Sequence, residues 1–215
     1  MTSIYFPRVS STITPALPSN STYKLDLARV LTRALGNDPQ FKFLLPDAGE
    51  RDRLVLRLFT GALYAAQRDG EVFTSEDGHG RVNGVAIWAR PGSSASLGHR
   101  LATFLPEESY PAESRTRCVT LGNYLEAIHQ RLAPEAHWRL FAAGVDPLMS
   151  ASESLERLLK PQLERADENR LACYVEAFDL RSLCSFERLG FRIAGSGQVL
   201  DAGPDFWVLI RPPSS

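Results

Sequence analysis

The chain has 215 residues, 44% hydrophobic and 23% charged, with a net charge of -1. That is enough apolar material for one sizeable core, so a single domain over 1–215 is expected. The balanced charge gives no basic field for nucleic acid, and no apolar run approaches the roughly 20 residues of a membrane span. The amino terminus also lacks the basic-then-apolar order of a secretory signal, which makes a cytoplasmic protein the expectation. Cys118, Cys173 and Cys184 are odd in number and lack paired metal spacing, so they read as buried thiols.

The first twenty residues are rich in Ser, Thr and Pro and suit an edge strand near Ile13 followed by a turn. From Tyr23 to Leu35 the apolar positions Leu27, Val30, Leu31, Ala34 and Leu35 recur at helical spacing, and Gly36-Asn37-Asp38-Pro39 supplies a stop. A second helical pattern runs from about Ala48 to Arg68. Its Leu54, Leu56, Leu58, Leu63 and Tyr64 face a core, and Arg51, Asp52 and Arg53 face water. Glu71–Thr74 and Gly84–Ala89 then flank Asp77-Gly78 and predict an antiparallel hairpin. Residues 92–136 form a long, polar, partly helical excursion, a length that in a compact domain usually caps something.

After the excursion the pattern becomes strand (His137–Val145), helix (about Ser152–Asn169) and strand (Leu171–Glu176). Such a βαβ unit places the helix amino terminus at the carboxyl end of its first strand, where free amides and the helix dipole favour anions. The helix stripe Leu155, Leu158, Leu159, Leu163 and Ala166 can pack on a sheet, and Pro161 predicts a bend near Arg157–Pro161. Ile193–Leu200 and Phe206–Ile210 complete the sheet as an antiparallel pair.

Three stretches, ALGNDPQFKFLLP (34–46), EVFTSEDGHGRVNGVAIWARPG (71–92) and Trp138–Phe191 ending in SFERLGF, make the chain resemble the GNAT superfamily of acyl-CoA-dependent N-acyltransferases. The resemblance implies an α/β fold: a mixed, mostly antiparallel sheet flanked by helices, with a central parallel strand pair from the βαβ unit. It also implies an acetyl-CoA cofactor lying along Ala143, Gly144 and Val145, with Ser150, Ala151, Ser152 and Ser154 at its phosphates. The partner it implies is a small-molecule amine, with neither nucleic acid nor membrane involved, and a homodimer is compatible with it.

The sequence departs from the family pattern in two places. The loop after Val145 has no glycine, and Ser150, Glu153 and Leu155 stand where the family's phosphate-binding loop carries its fixed residues. A carboxylate at Glu153 near a pyrophosphate adds about 1 to 4 kcal/mol of repulsion, and Ser150-Ala151-Ser152-Glu153 also fits a capping box that would occupy the same amides. Phe186 stands where many members have a proton-donating tyrosine, with Cys184 two residues away as a substitute acid. Glu176, at the end of the second βαβ strand, is the candidate general base, against a reading as a solvated carboxylate. His137 reads as structural, and His79, His99 and His129 as surface. Two readings stay open: an N-acyltransferase working by direct attack, and a non-catalytic GNAT-like module that has lost acetyl-CoA and binds another ligand or a protein.

Overall fold

The computed structural model describes residues 13–16, 20–77, 79–93, 110–147, 151–199 and 203–214, with backbone only for 13–16 and 151–154. Seven strands form one sheet in the order β1-β2-β3-β4-β5-β7-β6. They are β1 (Ile13–Ala16), β2 (Gly70–Glu76), β3 (Val82–Ala89), β4 (His137–Val145), β5 (Ala172–Ala177), β6 (Arg192–Gln198) and β7 (Asp205–Arg211). Every neighbouring pair is antiparallel except β4 and β5, the two strands of the βαβ unit. The described helices are α1 (Ser21–Leu35), α2 (Pro39–Leu44), α3 (Ala48–Asp69), α4 (Ala112–Leu132), α5 (Ala151–Glu168) and α6 (Leu180–Arg188).

Strand alternation divides the core into two layers. Val72, Val85, Ile87, Ala142 and Tyr174 face the layer built with α1, α3 and α4, whereas Phe73, Trp88, Leu140, Val175 and Leu209 face α5 and α6. On α5 the expected stripe holds: Leu158, Leu159 and Ala166 are fully buried and Leu163 nearly so. The helix continues unbroken through Pro161. Gln162 shares the buried face, which the apolar spacing did not reveal.

Local chemistry sets the helix starts. Asn20 caps α1 by accepting from the Tyr23 amide at 2.6 Å, and Asp47 caps α3 by accepting from the Glu50 amide at 3.0 Å. In the β2–β3 turn Asp77 accepts from the amides of His79 and Arg81, which holds its carboxyl below the usual range. The expectation of a water-facing Arg51 is corrected. Arg51 is buried and donates to the carbonyls of Leu45 and Pro46, tying the α2–α3 link to α3. Tyr64, expected in the core, is exposed with the Lys24 Nζ 4.0 Å above its ring.

Within the excursion, residues 94–109 lie outside the described residues, and α4 is a single 21-residue helix. Two bonds fasten it over the sheet: the Tyr110 hydroxyl donates to the Leu54 carbonyl at 2.6 Å, and Arg117 donates to the Phe43 carbonyl at 3.0 Å. Among the described residues no helix is long and apolar enough to cross a membrane.

Candidate active site

The parallel ladder between β4 and β5 is short. It runs from His137↔Ala172 to Leu140↔Val175 and ends there, although β4 continues to Val145. The cause is visible on the other edge of β4, where Ile87 pairs with Ala142 but Trp88 pairs with Leu140. Phe141 is therefore an extra residue, a bulge that bends β4 away from its parallel neighbour. Beyond it the edge of β4 facing β5 has no strand partner among the described residues, and the two strands splay.

A cavity of about 170 Å³ lies at this splay. Leu140, Phe141, Ala142 and Ala143 of β4 form one wall, and Val175, Glu176 and Ala177 of β5 the other. Phe178, Ser182 and Phe186 close one side, and Phe41, Leu44, Phe59, Cys118, Leu121 and Leu125 from α2, α3 and α4 form the roof. From the excursion, Cys118, Leu121 and Leu125 of α4 line this cavity.

Three charged side chains line the cavity: Asp38, Arg139 and Glu176. Glu176 is the expected candidate base, yet it accepts from Arg139 Nη2 at 2.6 Å. Arg139 is nearly buried and also donates through Nη1 to Glu126 of α4 at 3.0 Å. Burial pulls the Glu126 carboxyl up, but the hydrogen bond and charge of Arg139 outweigh it and hold the group below its usual range. Glu176 is thus neither a solvated strand-end carboxylate nor a solitary base.

Behind Arg139 lies a histidine pair that the spacing of the sequence did not disclose. Because a carbonyl only accepts, the 2.6 Å contact to Glu135 O fixes the proton of His137 on Nδ1. His137 Nε2 then accepts from His129 Nε2 at 2.7 Å, leaving His129 Nδ1 to accept from Arg139 Nη1 at 3.3 Å. These roles suit two neutral imidazoles, with Glu126 Oε1 also 3.5 Å from His129 Nδ1. Burial, reinforced by the Arg139 charge, keeps both below the ordinary histidine value. His137 is half-buried within this chain of contacts, and His129 is half-buried rather than surface.

Asp38 is a cavity-lining acid that sequence reasoning missed. It occupies the N-cap position of α2 with Pro39 at the first helical place, but its side chain caps nothing. Its carboxylate is therefore not consumed by the helix amides. Burial is the main cause, and the charge of Asp179 the second, that raises its pKa from 3.8 to about 7. Asp179 itself is held by capping α6, accepting from the Ser182 amide at 2.8 Å and the Ser182 hydroxyl at 2.9 Å. The Asp-Pro pair was legible as a helix boundary; a second acid arriving from a distant α6 was not.

The other predicted site residues are distributed unevenly. Ala143 lines the cavity. Gly144 faces α1, where an added Cβ would meet Ala34 Cβ at 2.6 Å, and Val145 is buried in the α5 layer. Ser150 lies outside the described residues, and Ala151, Ser152 and Ser154 are described only as the backbone of the first turn of α5. Cys184 is exposed and absent from the cavity wall, so its reading as a buried thiol is corrected; Cys118 and Cys173 carry thiols raised by burial to about 12. Phe186 faces the cavity and packs edge-on against Phe191, centroids 5.6 Å apart.

No family model matches the chain. An acetyltransferase related to histone acetyltransferase HPA2 from Corynebacterium glutamicum superposes with a TM-score of 0.65 at 23% identity, covering 96% of this chain and 98% of its own. A Drosophila melanogaster polyamine N-acetyltransferase that forms N-acetylagmatine gives 0.61 at 15%, covering 94% and 100%. The fold is that of the GNAT acetyltransferases. The C-terminal condensation domain of Ebony, in complex with beta-alanyl-dopamine, shares it too, with a TM-score of 0.65 at 9% identity over 95% and 99%. One fold thus carries proteins named for different chemistry, and chemistry depends on the residues lining the cavity.

Among the described residues, Phe141, Ala142 and Ala143 present a strand edge without a ladder partner along one wall of the cavity. Asp146, just beyond β4, is bound by Arg33 of α1 at 2.9 Å.

Proposed function

We propose that the protein transfers an acyl group from an acyl-CoA, acetyl-CoA being the simplest, to the amine of a small molecule. The observation that carries this reading is the end of the β4–β5 ladder at Leu140↔Val175, which frees the β4 edge beside a buried, acid-containing cavity. The acyl-CoA supplies an activated thioester carbon. The free edge of β4 holds the arm that delivers it, in the manner of an added strand.

Asp38 accepts the proton of the incoming ammonium, either directly or through one water. With a pKa near 7 it is half-ionised at neutral pH, a balance between being free to take a proton and being basic enough to do so. The amine nitrogen then forms a bond to the acyl carbon as the carbon–sulfur bond breaks. The nitrogen gives up its second proton to water, so the products are the neutral amide and the CoA thiolate, which takes a proton from water in turn. Phe186 offers no proton to that thiolate, and Cys184 stands outside the cavity wall. Loss of such an acid slows a step by about 10²- to 10⁴-fold without preventing it.

Phe186 is also the observation favouring the second reading, a non-catalytic module that keeps the cavity for another ligand. A thiol-release assay with acetyl-CoA and a panel of small amines separates the two: saturable CoA release supports the enzyme, and its absence with every amine supports the module.

A further inference from the structure

We infer that the core layer beneath α5 contains an internal water site built on Gln162, with the indoles of Trp88 and Trp138 as its further donors. Gln162 has no solvent exposure, and among the described residues neither its Nε2 nor its Oε1 finds a hydrogen-bond partner. The Nε1 atoms of Trp88 and Trp138 are likewise buried and unpartnered. Buried side-chain polar atoms are in the large majority bonded, to protein or to ordered water. A glutamine with both ends of its amide unpaired is a costly choice for a helix face that Leu158, Leu159 and Leu163 otherwise fill.

Arg165 shows that these groups share one place. It follows Gln162 by three residues, so the two are neighbours on the surface of α5. Its guanidinium carbon lies 4.7 Å from the centre of the Trp138 ring, and its two terminal nitrogens donate to Glu71 at 2.8 Å. Glu71 is the ladder partner of Trp88, and Trp88 is the partner of Leu140, two residues from Trp138 on the same face of β4. Two small side chains adjoin the group: Ala166, one turn after Gln162, and Ala86, two residues before Trp88. Indoles only donate, and the Gln162 amide oxygen is the acceptor among the three side chains. A water accepts from an indole and donates to that oxygen, which protein alone does not arrange here. Gln162 and Trp88 have no exposure, so the layer admits nothing larger. Through this site α5 is tied to β3 and β4 by hydrogen bonds as well as by apolar contact.

The test is water-selective NOE and ROE spectroscopy of the isotope-labelled chain, read at the Gln162 side-chain amide and at the indole N–H groups. Gln162→Leu assigns the amide signals by their loss. The inference expects the amide and at least one of the two indoles to show water cross-peaks of opposite sign in the two spectra, the signature of water that stays bound for longer than the molecule tumbles. In Gln162→Leu the indole cross-peak should disappear. No such peak at the native amide overturns the inference, and so do peaks of the same sign in both spectra, which report proton exchange or fleeting surface water. An indole peak that persists at full intensity in Gln162→Leu overturns it too. If that variant does not fold, the native spectra decide alone, and neither readout depends on acyl transfer.

Discussion

Arg139 Nη2 donates to Glu176 Oε1 across 2.6 Å, with both side chains about nine-tenths buried. This contact joins the cavity wall to α4, because the same guanidinium also holds Glu126. Removing the cation leaves two buried carboxylates without it, so Arg139→Met should cost about 3–5 kcal/mol in urea unfolding. Glu176→Gln should cost less, since Arg139 keeps Glu126. Equal losses from the two variants would contradict this view of Arg139 as the shared member.

Asp38 has a pKa raised from 3.8 to about 7, so between those values the native chain holds a proton that the unfolded chain has released. Stability therefore falls as pH rises from about 4 to 7, and the cost of ionised Asp38 is fully present above 7. Asp38→Asn should thus gain a few kcal/mol over the native chain at pH 8 and nothing at pH 4. Over the same range kcat/KM of the native chain should rise about tenfold per pH unit and level off above 7, and Asp38→Asn should lower it by about 10²- to 10⁴-fold. Parallel denaturation and rate profiles check both signs.

Gly144 lies where β4 meets α1, with no space for a methyl group beside Ala34. Gly144→Ala should destabilise by about 1–3 kcal/mol, because backbone must separate from backbone. Ala34→Gly in the same chain should recover part of that loss. No recovery would mean that the contact does not set the strand–helix distance.

Cys184 should react first with a thiol reagent, ahead of buried Cys173 and partly buried Cys118. Cys184→Ser should shift stability by no more than about 0.5 kcal/mol and leave CoA release unchanged. A large loss of turnover would give Cys184 a role that its exposed position does not support.

Regular patterns were legible in the sequence because they depend on local spacing. The α5 stripe from Leu155 to Ala166, the Asp77 hairpin and the alternating strands 206–210 all follow from period and turn chemistry. The βαβ unit led directly to the parallel pair and to the GNAT resemblance. The bulge at Phe141 was not legible, because it exists only relative to the partners of β3. Arg51 and His129 misled for a related reason. Charged side chains usually signal solvent, and their buried partners come from the α2–α3 link, α4, β4 and β5, which only the fold brings together. Glu176 was correctly placed at the splay, but its partner thirty-seven residues earlier was invisible to strand alternation.

The central claim is that the free edge of β4 accepts an acyl-CoA, and calorimetric titration with acetyl-CoA tests it most directly. The account predicts saturable binding with a micromolar constant, and a stability gain of about 2.7 kcal/mol at 100-fold saturation in a matching thermal melt. No heat and no melting shift up to millimolar acetyl-CoA would contradict it.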